Sequence, residues 1–234
     1  MLKIISFKIC PFVQRVTALL EAKGVPYQVD YISLSDKPDW FVEISPNAQV
    51  PLLITEGGKV LFESEAIIEY IEEAYGPLRK GVSLEDKALE RAWSYLASKN
   101  YLVQCGAMRS PSATDLEERS AKLGAAFDKI EKALGETRYF SGDEIGLVDI
   151  AWITLLYRAA LIERETGFDM LGLRPKLKRW QKTVLETGLA EKSVAEDFED
   201  RFFGFYLSED TFLGRGKDAE SCRADDACKT SSCC

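Results

Sequence analysis

Histidine is absent from all 234 residues. That excludes a Ser-His-Asp triad, a Cys-His dyad and any His-ligated metal site, so a nucleophile here needs activation from another source. Long apolar runs are also missing. The longest nearly apolar stretch, LVDIAWITLLYRAALI at 147–162, is too short to span a membrane and carries Asp149 and Arg158. It reads as a buried helix, and no membrane association is expected. Positive charge is scarce: 30 basic residues against 38 acidic ones leave a net charge of −8. Nucleic-acid binding needs a basic face, so no nucleic-acid partner is expected. The opening MLKIISF has no apolar core of signal-peptide length. A cytoplasmic protein with reduced cysteines is the expectation.

What is present alternates strand and helix over the first 75 residues. LKIIS (2–6) reads as a buried strand, followed by a helix over 11–23 that opens on Pro11 and closes at Gly24. YQVDYI (27–32) alternates as a strand, and DWFVEI (39–44) is a short helical or turn segment. PLLIT (51–55) and KVLF (59–62), joined through Glu56-Gly57-Gly58, read as an antiparallel hairpin. Ile67, Tyr70, Ile71 and Ala74 then mark one face of a helix. A helical crossover should make the first two strands parallel. The order β-α-β then β-β-α fits an α/β thioredoxin-like domain over 1–76, followed by a linker at 77–84. Residues 85–207 carry only helical patterning, with helices expected near 85–107, 115–135, 147–165, 174–186 and 189–199. The polar tail, 208–234, is expected to be disordered.

Between the first strand and the first helix stands SFKICPFVQRV (6–16), with Cys10 directly before Pro11. Open α/β sheets place their ligands at this strand-to-helix junction. Free backbone N–H groups and the positive helix end favour a thiolate there, and such cysteines can have pKa values lowered to roughly 3.5–7.5. The alternative is a small buried apolar residue. Position 13 is Val, so CPFV is not a dithiol motif, and a dithiol mechanism would need a second cysteine from elsewhere.

CPFVQR, together with YISLSDKPDWFVEISPNAQVPLL and KVLFESEAIIEYIEEAYG, resembles the cysteine-type glutathione transferases, the omega class in particular. GLVDIAW and RPKLKRW extend the resemblance more weakly into the helical half. The resemblance implies a glutathione transferase fold, glutathione as co-substrate, no metal, and a homodimer. It implies that Cys10 is the nucleophile forming a mixed disulfide with glutathione, and that Val50 pairs through its backbone with the cysteinyl part. Pro51 would be a cis-proline. Glu63 and Ser64 would hold the γ-glutamyl end, and Lys37 would lie near the glycyl carboxylate. Phe12 and Trp180 would border the electrophile site, with Arg15 structural. Ser64 at a helix start also suits a carboxylate on chemical grounds alone. Asp149 resembles a capping-box acid, but Gly146 stands where the family has Ser or Thr, so the reciprocal side-chain bond is lost.

The implied activity is thiol transfer or dehydroascorbate-type reduction, acting on a small-molecule or glutathionylated acceptor. The alternative is a non-catalytic binding or regulatory protein on the same fold. Cys222, Cys228, Cys233 and Cys234 lie outside the family pattern, and their spacing is not a standard zinc arrangement.

Overall fold

The computed structural model describes residues 1–216. Its first half runs β1 (Leu2–Ser6), α1 (Pro11–Lys23), β2 (Tyr27–Tyr31), α2 (Asp39–Ile44), β3 (Leu52–Ile54), β4 (Val60–Phe62) and α3 (Ser64–Ala74). The four strands form one sheet in the order β2-β1-β3-β4. β1 and β2 are parallel, with Ile4 opposite Val29, whereas β3 runs antiparallel to both β1 and β4. Ile4, Ile5, Leu52 and Leu53 are fully buried, which fixes the register because a slip of one residue would turn these side chains outward. This is the expected thioredoxin-like arrangement.

α1 follows the local signals closely. Pro11 occupies its first position, and Gly24 ends it in the left-handed conformation, φ 64°, which a residue without Cβ adopts at little cost.

From Leu84 onward the described chain is built of helices: α4 (Leu84–Met108), α5 (Ala113–Ala133), α6 (Leu147–Thr166), α7 (Pro175–Leu185), α8 (Leu189–Lys192) and α9 (Phe198–Tyr206). Ser83 and Ser112 cap α4 and α5 by accepting the N–H of Asp86 and Asp115 at 3.1 Å. Each such cap is worth about 1 kcal/mol. α6 is the buried centre of this half. Side chains of its neighbours reach its carbonyls: Tyr101 Oη donates to Ala151 at 2.6 Å, and Gln104 Nε2 to Leu155 at 2.8 Å. At its start, the Gly146 N–H donates to Asp149 Oδ2 at 2.8 Å. That is the half of the capping box that glycine allows.

Two expectations are corrected. The single helix expected at 189–199 is broken after α8, and α9 is a separate helix. The cause is tertiary: the Ser193 carbonyl turns away to accept Thr17 Oγ1 of α1 at 2.6 Å. The tail does not begin at Ser208. Residues 212–216 form a further helical turn. Thr211 and Leu213 are buried there, and the Phe212 N–H donates to the Ser110 carbonyl at 2.8 Å. The cysteines at 222, 228, 233 and 234 lie outside the described residues.

Candidate active site

Val50 and Pro51 are joined by a cis peptide bond, as expected. They face α3 across a cavity of about 80 Å³ that is also lined by Phe12, Asn47, Glu63 and Ser64. The backbone N–H and carbonyl of Val50 have no partner in the backbone hydrogen bonding of the described residues, so this edge can take a peptide-like ligand. Glu63, directly before α3, is held at φ 66°. Such a conformation in a non-glycine residue costs of order 1–3 kcal/mol and clusters at ligand-binding sites. Its Oε1 accepts Asn47 Nδ2 at 2.9 Å. Ser64 is buried at the first turn of α3, where free N–H groups favour a carboxylate.

Beneath this cavity lies a network that residue patterns did not disclose. Ser64 Oγ donates to Glu65 Oε2 at 3.0 Å, and Ser98 Oγ on α4 donates to Glu65 Oε1 at 2.6 Å. The buried Arg15 of α1 donates to the same carboxylate at 3.2 Å. Burial opposes the charge on Glu65, yet Ser98, Arg15 and the α3 N–H hold its carboxyl below the usual carboxylate range. Three helices therefore meet at one carboxylate. The acidic pair in FESE was the available signal.

Cys10 caps α1, and its carbonyl accepts the Gln14 N–H at 3.2 Å. The thiol is only 8% exposed and lines a separate recess of about 40 Å³ with Lys8, Gln14 and Ser193. This corrects the expectation of a lowered pKa. Burial pushes the Cys10 thiol up to about 11, outweighing the N–H groups of Val13 and Phe12 and the charge of Arg158, all of which favour the thiolate. The helix-end effect is present, but it is smaller than the loss of water.

Lys37 is exposed and stays outside the cavity, donating to the Ala48 carbonyl at 2.9 Å on the loop that leads to Val50. Trp180 is a further correction. It is 2% exposed, packed against Trp152 and Phe140, and its indole N–H donates to Asp149 Oδ1 at 2.7 Å. A tryptophan so enclosed is a core residue, and it lines neither the Val50–Glu63 cavity nor the Cys10 recess. The aromatics lining the Cys10 recess are Tyr27 and Tyr31, while on α9 Phe198 and Phe202 lie 5.5 and 5.6 Å from the Arg158 guanidinium. Their spacing of four residues, repeated at Tyr206, was the helical signal that pattern reading passed over. Larger open depressions, of about 400 and 500 Å³, lie elsewhere and do not contain Cys10.

A thioredoxin-like half with a cysteine at its first helix, joined to an all-helical half, defines a two-domain type of protein. The comparisons identify which type. The family description "Glutathione S-transferase, N-terminal domain" matches residues 9–74, and "Glutathione S-transferase, C-terminal domain" matches 113–181. Glutathione S-transferase omega-1 of Sus scrofa is 30% identical over 190 residues, covering 80% of this chain and 77% of its own. Glutathione transferase Omega 3C of Trametes versicolor shares the fold with a TM-score of 0.74 at 23% identity, over 88% of this chain and 90% of that one. A rice glutathione transferase crystallised with glutathione matches with a TM-score of 0.72 at 22% identity, over 86% and 95%. The chain belongs to the glutathione S-transferase family, and its relatives include omega-class members.

Proposed function

We propose that this protein is a glutathione-dependent thiol transferase or reductase in which Cys10 is the nucleophile. The observation that carries the reading is the placement of Cys10 at the root of α1, whose second residue, Phe12, lines the Val50–Pro51–Glu63–Ser64 cavity. Glutathione in that cavity would pair with the free Val50 backbone edge, set its γ-glutamyl carboxylate at the start of α3, and set its ammonium by Glu63.

The reaction is thiol–disulfide exchange. The Cys10 sulfur attacks a mixed disulfide of glutathione and acceptor, the acceptor thiol leaves with the electron pair, and a second glutathione releases the first as oxidised glutathione. The buried thiol is protonated at neutral pH. An opening that admits water removes the desolvation penalty, while the Val13 and Phe12 N–H groups and Arg158 remain to favour the thiolate. Disulfide substrates, glutathionylated proteins and dehydroascorbate are the acceptor classes this chemistry suits.

The burial of Cys10 favours a second reading, in which the chain binds glutathione without turnover. Cys10→Ala separates the two readings. The variant should retain glutathione binding by calorimetry and lose thiol transfer entirely. Equal turnover in variant and wild type would remove Cys10 from the mechanism.

A further inference from the structure

Two lines of contact lead from the neighbours of Cys10 to the other described cysteine, Cys105 of α4, which is reduced and half-buried. The first runs along the helix faces. The Phe12 ring packs edge-on against Tyr101 with centroids 5.3 Å apart. Tyr101 and Cys105 are four residues apart on α4 and so share one face, which is the face turned to the start of α1.

The second line runs through the core. The fully buried Arg158 donates from Nη2 to the Ile9 carbonyl, at 3.2 Å, one residue before Cys10. Its guanidinium lies 5.6 Å from the Phe202 ring, and Phe202 packs on Tyr206 at 4.8 Å. Tyr206 Oη in turn is 3.1 Å from Cys105 Sγ. A charge on either sulfur opposes charge on Tyr206. The Nε and Nη1 atoms of Arg158 have no hydrogen-bond partner among the described residues. A buried guanidinium with free donors and no salt bridge among the described residues is suited to a transient anion, and Cys10, Tyr101 and Tyr206 are the titratable groups on which its charge acts.

From this juxtaposition we infer that Cys105 is the resolving thiol of Cys10, so that one chain holds a two-cysteine redox pair across its two halves. In the resolving step, which precedes the attack by a second glutathione and takes its place at the mixed disulfide, Cys105 loses its proton and its sulfur attacks the Cys10 sulfur of the Cys10–glutathione mixed disulfide. The Cys10–Cys105 bond forms, the bond to glutathione breaks, and glutathione leaves with the electron pair and takes up the proton. Two further glutathiones reduce the internal disulfide and depart as oxidised glutathione. Tyr206 is the positioning residue, since its hydroxyl must release Cys105 before the sulfurs close to bonding distance.

The inference takes its oxidising partner from the function proposed above, but the pairing of the two cysteines can be tested without glutathione. The full chain would be treated in parallel with stoichiometric oxidised glutathione and with diamide, then alkylated, digested and mapped by mass spectrometry. The wild type should yield a Cys10–Cys105 cross-linked peptide with both reagents. Cys105→Ser and Cys105→Ala should instead retain glutathione on Cys10, at a level at least about tenfold above the wild type, because a neighbouring thiol competes at high effective concentration. Cross-linking by diamide alone supports the pair and counts against the glutathione reading. Wild type that keeps its glutathione on Cys10 as fully as Cys105→Ser overturns the proposal. So does a protein in which neither reagent links the two, or in which Cys10 pairs with a tail cysteine.

Discussion

The Trp180 indole N–H donates to Asp149 Oδ1 at 2.7 Å, and the same carboxylate also takes the N–H groups of Phe140 and Gly146. A side chain of α7 thereby ties down the start of the buried α6. Trp180→Phe keeps the ring but removes this donor from a buried carboxylate, at a cost of about 1–3 kcal/mol. Urea unfolding should register that loss, while the ranking of acceptor substrates stays unchanged. A changed ranking at unchanged stability would return Trp180 to a substrate pocket.

Cys10 should leave a mark on alkaline stability. Its thiol, raised to about 11 by burial, keeps its proton in the folded chain longer than in the unfolded one. The folded state then binds more protons, so the contribution is complete below about pH 9 and is lost as pH rises toward 11, at about 1.4 kcal/mol per pH unit. Cys10→Ala should lack this component. Unfolding midpoints of the two proteins should converge as pH climbs through that window, and parallel curves would show a thiol already open to water.

Glu65 makes the opposite prediction in acid. Its carboxyl is held below the ordinary value against the penalty of burial, so its contribution is present at neutral pH and fades as pH falls through that lowered pKa. Glu65→Gln should cost about 1.5–3 kcal/mol at neutral pH through the bonds to Arg15, Ser98 and Ser64. It should also weaken glutathione binding, because Ser64 loses its orientation. Retained affinity together with lost stability would confine Glu65 to the scaffold.

Gly214 sits against the backbone carbonyls of Ser208 and Leu207, where an added Cβ would collide with atoms that cannot move aside. Gly214→Ala should lift the last described segment from the body. Hydrogen exchange at the Phe212 N–H, now bonded to Ser110, would rise towards the rate of an open amide.

The sheet and its mixed pairing were legible because they rest on local chemistry, whereas the cis-proline and the cavity residues around α3 were legible through the family resemblance. Alternation marks β2, Pro11 marks the start of α1, and VP and ES stand at fixed places in short motifs. What was hidden depends on contacts between distant residues. Thr17 breaks the helix expected at 189–199 from across the fold, Ser98 completes Glu65 from α4, and nothing in GLVDIAW or RPKLKRW reveals that Trp180 faces Asp149. The state of the Cys10 thiol was misread for a related reason. Motif position discloses the helix end, whereas burial is set by residues distant in sequence, such as Ser193 and Val194 beside the Cys10 recess.

Because the Glu65 carboxylate is held by α1 and α4 together, and an arginine of α6 bonds the Ile9 carbonyl next to Cys10, neither half of the chain completes the proposed site by itself. Excised, residues 1–76 would keep the motif but lose Ser98 and Arg158. Grafting the helical half of a relative onto this thioredoxin-like half would leave CPFVQR unaltered while resetting the electrostatic surroundings of its sulfur. In this architecture the reactivity of the first domain's cysteine is heritable through substitutions in the second.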